Sequence, residues 1–419
     1  MTGVQTCALP ISENSYTVVI GADQSVLNGF TITGGNSSNR GGGMYNYGVN
    51  PTIENCAFIN NNASLFGGAM ANHIANPIIK NSSFMSNSAS ESGAIDNENC
   101  LYVQIDNCQF KDNIAGTGGA MSNYSSIMAL SRIQFDGNTA LNNGGSFFIS
   151  GGETQIDDSV FGNNTAFDGG GLYLTGGTVS IEKSYFLNNA ATNHGGALFI
   201  ESGSISIENG SIVMNTAVAY GGGVYSNAGS SLMLDDLVIS DNQAVYGGGA
   251  YFLNSTVNAN NCHFERNFAT TFTDPHGGGG IYSSGSTFTA ISSRFTNNKA
   301  NQDGGALLIN GGNASFSSCG LTDNNAGWAG GSIYTVSGAQ LSLLNCVLSN
   351  NSASYGGAIN NYANSTTTAR NCLIVLNEAI GGNGGAIHNH DAYLILKGCT
   401  VADNASTVLG DGIRYYNGY

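Results

Sequence analysis

The sequence predicts an all-β chain folded as a parallel β-helix, a solenoid of about 15 coils with about 26 residues in each. Three observations carry that expectation. One motif returns at nearly constant spacing along the chain. Each repetition contains only short apolar runs of period two, and asparagine and glycine separate the runs.

The motif reads aliphatic-x-x-(Cys/Ser)-x-(Phe or aliphatic)-x-x-Asn-x-Ala, then a short gap, then Gly-Gly-small-aliphatic. PTIENCAFINNNASLFGGAMANH and SIEKSYFLNNAATNHGGALFIES are two examples. Its asparagine falls at Asn61, Asn87, Asn113, Asn138, Asn164, Asn189, Asn215, Asn242, Asn267, Asn298, Asn324, Asn351, Asn377 and Asn404, with spacings of 25 to 27 and a single one of 31. A weaker coil begins at Gly29. The runs are too short for helical repeats, and a propeller blade needs a longer unit. Rungs stacked at the parallel-strand spacing of ~4.8 Å would give a rod of about 70 Å.

Each motif position has a predicted task. Phe58, Phe84, Phe110, Phe135, Phe161, Phe186, Phe264 and Phe295 should point inward and stack, with Ile212, Ile239, Leu321, Leu348, Ile374 and Val401 filling the same column. The repeat asparagine is expected at a bend in the left-handed backbone region, its amide bonded to the asparagines of the neighbouring coils. The Gly-Gly pair is expected to supply further positive-φ positions.

Composition narrows the function classes. The chain has 61 Gly, yet 41% of its residues are hydrophobic, including 19 Phe and 19 Tyr, which is enough apolar surface to fold. A net charge of −16 excludes nucleic acid as an expected partner and disfavours attachment to anionic lipid. No run of 18 apolar residues offers a transmembrane helix.

The paired signatures FxxN and GGA(I/L/V) appear as FINN at Phe58, FMSN at Phe84, FKDN at Phe110, GGAL at Gly195 and Gly304, and GGAI at Gly356 and Gly384. They resemble the repeats of chlamydial polymorphic outer-membrane proteins. That resemblance implies a single-stranded right-handed parallel β-helix, and a place outside the cell or on its outer surface. It also implies a passenger displayed by a membrane barrel and an adhesin-like role. The partners implied are glycans or host cell-surface proteins.

Several columns are candidate sites. Phe148, Tyr173, Phe199, Tyr225, Tyr251 and Tyr282 follow the post-Gly-Gly aliphatic on six successive coils and should face outward by strand alternation. They form either a self-stabilising stack or an exposed aromatic binding strip. Asp157, Glu182, Glu208 and Asp235 repeat four residues before the inward Phe or aliphatic. They form either a solvated acidic edge or a stripe for Ca²⁺, the one cofactor the residues suggest. Cys56, Cys108, Cys262, Cys319, Cys346, Cys372 and Cys399 share one slot and should be a column of buried, inert thiols. Cys100 is out of register and is expected to be the exposed thiol.

An enzyme is the competing class, because β-helices host polysaccharide lyases and glycoside hydrolases. Such a site needs carboxylates clustered with Arg or Lys, and no spacing places the few cations beside the acidic column. No catalytic residue is therefore assigned. His388 and His390 could share one face as a two-histidine metal site, and Asp274, Pro275 and His276 mark a loop inserted at the long spacing.

Met1 to Ser12 has no repeat signature and resembles the translation of a sequencing adapter. The native protein is therefore expected to be a β-helix over 13–419, cut at its N-terminal end, with its C-terminal end a second candidate for truncation.

Overall fold

The computed structural model describes residues 16–272 and 277–417. The segment 1–12, with Cys7, and the loop residues Asp274, Pro275 and His276 lie outside the described residues. The described residues form strands, turns and bends, with no helix among them. They divide into two compact units. The first comprises Met1–Thr192 and Gly196–Ser206, and the second Asn193–Gly195 and Ile207–Tyr419.

One coil of the first unit shows the plan. The chain runs through strands Thr52–Glu54, Ala57–Ile59, Asn62–Phe66 and Met70–His73. Each pairs in parallel with its counterpart in the next coil, so that Ile53 faces Ile79, Phe58 faces Phe84 and Met70 faces Ile95. The strand carrying the inward Phe or aliphatic recurs seven times in the first unit and eight in the second, fifteen in all. This is the predicted parallel β-solenoid.

Burial of the repeated apolar positions holds the coils together. Phe58, Phe84, Phe110, Phe135, Phe161 and Phe186 are wholly buried and stack with centroids 4.4–5.0 Å apart. In the second unit Phe264 stacks on Phe295 at 4.9 Å, buried Ile212, Ile239, Leu321, Leu348 and Ile374 occupy five other rungs, and Val401 on the last is half-buried.

The repeat asparagines are interior groups. Asn87 Oδ1 accepts from the backbone N–H and the Nδ2 of Asn61, while its Nδ2 donates to Phe58 O and to Asn113 Oδ1. All four hydrogen-bonding sites of the amide are filled, so its burial leaves no uncompensated polar group. The pattern repeats from Asn61 to Asn189 in the first unit, and from Asn215 to Asn404 in the second. A second interior ladder, which the motif does not reveal, links Asn46, Asn72 and Asn97 in the first unit and Asn361 to Asn389 in the second.

Two expectations about the corners need correction. The left-handed residue is the one before the ladder asparagine, as at Asn60, Asn163 and Asn350, because the ladder side chain must point into the coil. Of the Gly-Gly pair, only the first has positive φ, as at Gly67 (φ 63). The second is glycine because of crowding: a Cβ on Gly68 would lie 2.4 Å from Gly93 O.

Candidate functional site

The acidic edge is less uniform in space than in sequence. In the first unit the column reads Glu54, Lys80, Asp106, Ser131, Asp157 and Glu182 on paired strands. Arg132 meets Asp106 at 2.5 Å and Lys183 meets Glu182, so cations interleave with the carboxylates. Lys80, Asp106, Asp157 and Glu182 line a shallow concavity of about 400 Å³. In the second unit Glu208 and Asp235 end strands Leu198–Glu208 and Ser231–Asp235, and Asp235 is followed on the next coil by Asn260. Among the described residues no three His, Cys, Asp or Glu side chains converge as a metal site.

The thiol column is buried from Cys56 to Cys372, with Cys399 half-buried, and all its members are free. Burial pushes the Cys262 thiol up to about 11 and Cys108 up to about 12, so both stay protonated. Cys100 departs from expectation, being only 2% exposed. It occupies a second column of small corner residues between buried Ala75 and Ser126, and its N–H donates to Ser126 Oγ at 2.9 Å.

The six-ring column stands on the outer side of its strands, yet it is not an exposed strip. Phe148, Tyr173, Phe199, Tyr225 and Tyr282 are only 5–9% exposed, and Tyr251 is half-buried. Two effects cover them. The rings lie face to face, with Tyr173–Phe199 at 4.7 Å in the first unit and Tyr251–Tyr282 at 4.8 Å in the second. The residue before each Gly-Gly also forms a wall beside them. In the second unit that wall begins with His194, Tyr220 and Tyr246, and Tyr220 meets Tyr251 at 4.7 Å. Burial lowers the pKa of His194, keeping its ring neutral. Over the coils of Tyr220 and Tyr246 the result is a trough whose floor and wall are both aromatic.

In the first coils of the first unit the trough holds a charged cluster instead. Wall residues Arg40, Phe66 and Glu91 stand beside floor residues Tyr45, Ala71 and Asp96. Arg40 Nη1 donates to Glu98 Oε2 at 2.5 Å and lies 3.6 Å from Asp96 Oδ2, with its guanidinium over the Phe66 ring. His73 Nδ1 is 2.9 Å from the same Glu98 oxygen, and Tyr124 donates to Glu91 Oε2 at 2.5 Å. Asp96 is wholly buried and accepts from Ser92 Oγ at 3.0 Å. Burial raises its carboxyl to about 7, with Ser92 and Arg40 opposing. At Glu98 the same desolvation is outweighed by hydrogen bonds from Arg40 and His73, and its pKa falls. The group can therefore hold or release a proton near neutrality. Sequence reasoning missed it because Arg40 and Glu98 are 58 residues apart and meet only when the chain has wound through two turns.

The model of the Chlamydia polymorphic membrane protein repeat matches residues 183–201 and 292–310. Each match runs from the corner before the inward phenylalanine to the strand after Gly-Gly. No curated protein and no solved structure is matched by the chain. The chain is a parallel β-helix repeat protein whose coils are similar to the repeat of that bacterial membrane protein family.

Proposed function

We propose that this chain is the repeat region of a bacterial cell-surface or secreted protein. In this reading it works outside the cell as an adhesin-like or structural solenoid. It contacts glycans or host cell-surface proteins along its trough, without a bound cofactor. The observation that carries the reading is the pair of ring columns in the second unit, Tyr225–Tyr251–Tyr282 and His194–Tyr220–Tyr246. Two ring columns side by side on the outer side of their strands, with the wall rings His194, Tyr220 and Tyr246 half-buried, suit contact with another surface better than the packing of a core. Tyr173→Ser combined with Tyr225→Ser should sharply lower glycan-array and cell binding while the far-UV spectrum persists. Unchanged binding in the folded double variant would reject the ring columns as the contact surface.

A second reading, a carbohydrate-active enzyme, is favoured by one observation: carboxylates and an arginine meet at Asp96, Glu98 and Arg40. It predicts release of reducing ends from pectin, alginate or xylan that Asp96→Asn eliminates. No release from any of the three would reject it.

A further inference from the structure

The floor of the second unit continues from Tyr282 through Leu308 to Tyr334, and there its last run of rings is interrupted by a polar side chain. Tyr334 is followed on the next coil by Asn360, and Asn360 by His388. An amide stands where a ring would continue the column, and on the wall Ala329 stands where the next coil has Tyr355. Two short side chains among large ones open a cavity of about 430 Å³. That lies within the usual range for small-molecule sites, about 300–1,000 Å³.

The lining has a distinct chemistry. Trp328, Tyr334, Tyr355, Tyr362 and Tyr416 supply aromatic surface, and Trp328 is 53% exposed. Trp328 packs edge-on against Tyr355 with centroids 5.1 Å apart, and Tyr355 lies 5.4 Å from the His388 ring. Asn360 and His388 are only 6% and 7% exposed, yet Asn360 Oδ1 and His388 Nδ1 have no hydrogen-bond partner among the described residues. Asn383 Oδ1, also on the lining, is unpartnered as well. A buried polar atom without a partner is unfavourable, so three around one cavity mark a place for an occupant's hydroxyls.

We infer that this cavity is a binding site for a neutral saccharide unit, with its C–H face on the aromatic rings and its hydroxyls on Asn360, Asn383 and His388. No Asp, Glu, Lys or Arg lines the cavity, so nothing in it is matched to a charged ligand. Burial, with His390 and Arg414 nearby, holds His388 down to about 4, leaving a neutral ring to exchange hydrogen bonds with hydroxyls. A hydroxyl both donates and accepts, so each of the three groups can be satisfied by the same ligand class. His388 and His390 lie on one face with centroids 5.8 Å apart, but no third metal-binding side chain joins them among the described residues. The site begins beyond Leu308, where Tyr334 packs in the same cluster as Tyr282, the last ring of the six-ring column, and none of those six rings lines the cavity.

The chain carries one tryptophan, Trp328, so its emission reports on this cavity alone. The full chain is titrated with the methyl glycosides of glucose, galactose, mannose and N-acetylglucosamine, with N-acetylneuraminic acid and Zn²⁺ as comparators. At least one neutral glycoside should give a saturable change in Trp328 emission. Asn360→Tyr, which continues the ring column of the adjacent coils, should weaken that response at least 10-fold without lowering the melting temperature. Tyr173→Ser should leave it unchanged. Silence with every neutral glycoside, a response confined to N-acetylneuraminic acid or Zn²⁺, or a response that survives Asn360→Tyr would overturn the site. Glycan-array binding that persists in Asn360→Tyr would overturn this site as the source of that binding and leave the surface-contact reading standing.

Discussion

Asn87 and Asn113, one coil apart, are joined by a side-chain hydrogen bond of 3.0 Å from Nδ2 to Oδ1, and the Asn113 oxygen also accepts the Asn87 backbone N–H at 3.0 Å. Each ladder asparagine thus ties its own corner to both neighbours. Asn113→Asp keeps the shape but removes the donor that serves Phe84 O and Asn138 Oδ1, and it buries a carboxylate. A loss of roughly 2–4 kcal/mol is expected, read as a lower melting temperature and faster proteolysis. A melt indistinguishable from the parent would mean that the amide geometry contributes little.

The phenylalanine column predicts a comparable loss by another route. Phe110 is fully buried between Phe84 and Phe135, at 4.8 and 5.0 Å. Phe110→Ala should cost about 3–5 kcal/mol through lost burial and the cavity left behind. Phe110→Asp should be more severe, because a charge without a partner enters the same space. Denaturant titration followed by near-ultraviolet signals would measure both, and equal effects would argue against an interior position.

Two glycines separate crowding from backbone freedom. Gly68→Ala should disrupt folding, since the new methyl would lie 2.4 Å from both Gly93 O and Ser88 O. Gly320→Ala should be neutral or slightly stabilising, because nothing lies within 4 Å of the added Cβ and its φ is not positive. Equal melting temperatures for the two variants would contradict the close stacking of coils at Gly-Gly.

The Asp96 cluster makes stability depend on pH. A carboxyl raised to about 7 binds its proton more tightly in the folded chain, so the folded state holds more protons between about pH 4 and 7. Stability from this group is present below pH 4 and is lost as pH rises through 7. Glu98 acts oppositely, since its lowered pKa gives stability that is lost as pH falls. Asp96→Asn should therefore raise the melting temperature at pH 8 and change it little at pH 4. A variant that melts lower than the parent at pH 8 would show that the ionised Asp96 is stabilising through Arg40.

The coil could be read from sequence because each position repeats its environment, so Phe58, Phe84 and Phe110 report one column many times over. The trough could not, because it is built by residues that break the repeat. Asp96 and Asn360 occupy a position held by rings on other coils, and no period predicts a departure from itself. For a related reason the sequence leaves open whether the six-ring column is a stack or an exposed strip. Strand alternation gives the direction of a side chain but not the wall that the residues before Gly-Gly raise beside it. The left-handed corners were displaced by one residue because asparagine suits both a positive φ and an amide ladder, and Asn60 and Asn61 are adjacent.

Amide hydrogen exchange resolved by residue tests the in-register stacking of coils most directly. In each unit the backbone N–H of the ladder asparagines is donated to a side chain of the next coil, as from Asn61 to Asn87 and from Asn324 to Asn351, both at 3.0 Å. Stacking in this register predicts slow exchange at these corner amides, as slow as at the strands beside them, and a collapse of protection at Asn87 in Asn113→Ala. Fast exchange at the ladder asparagines of the parent protein, with protection confined to the strands, would contradict it.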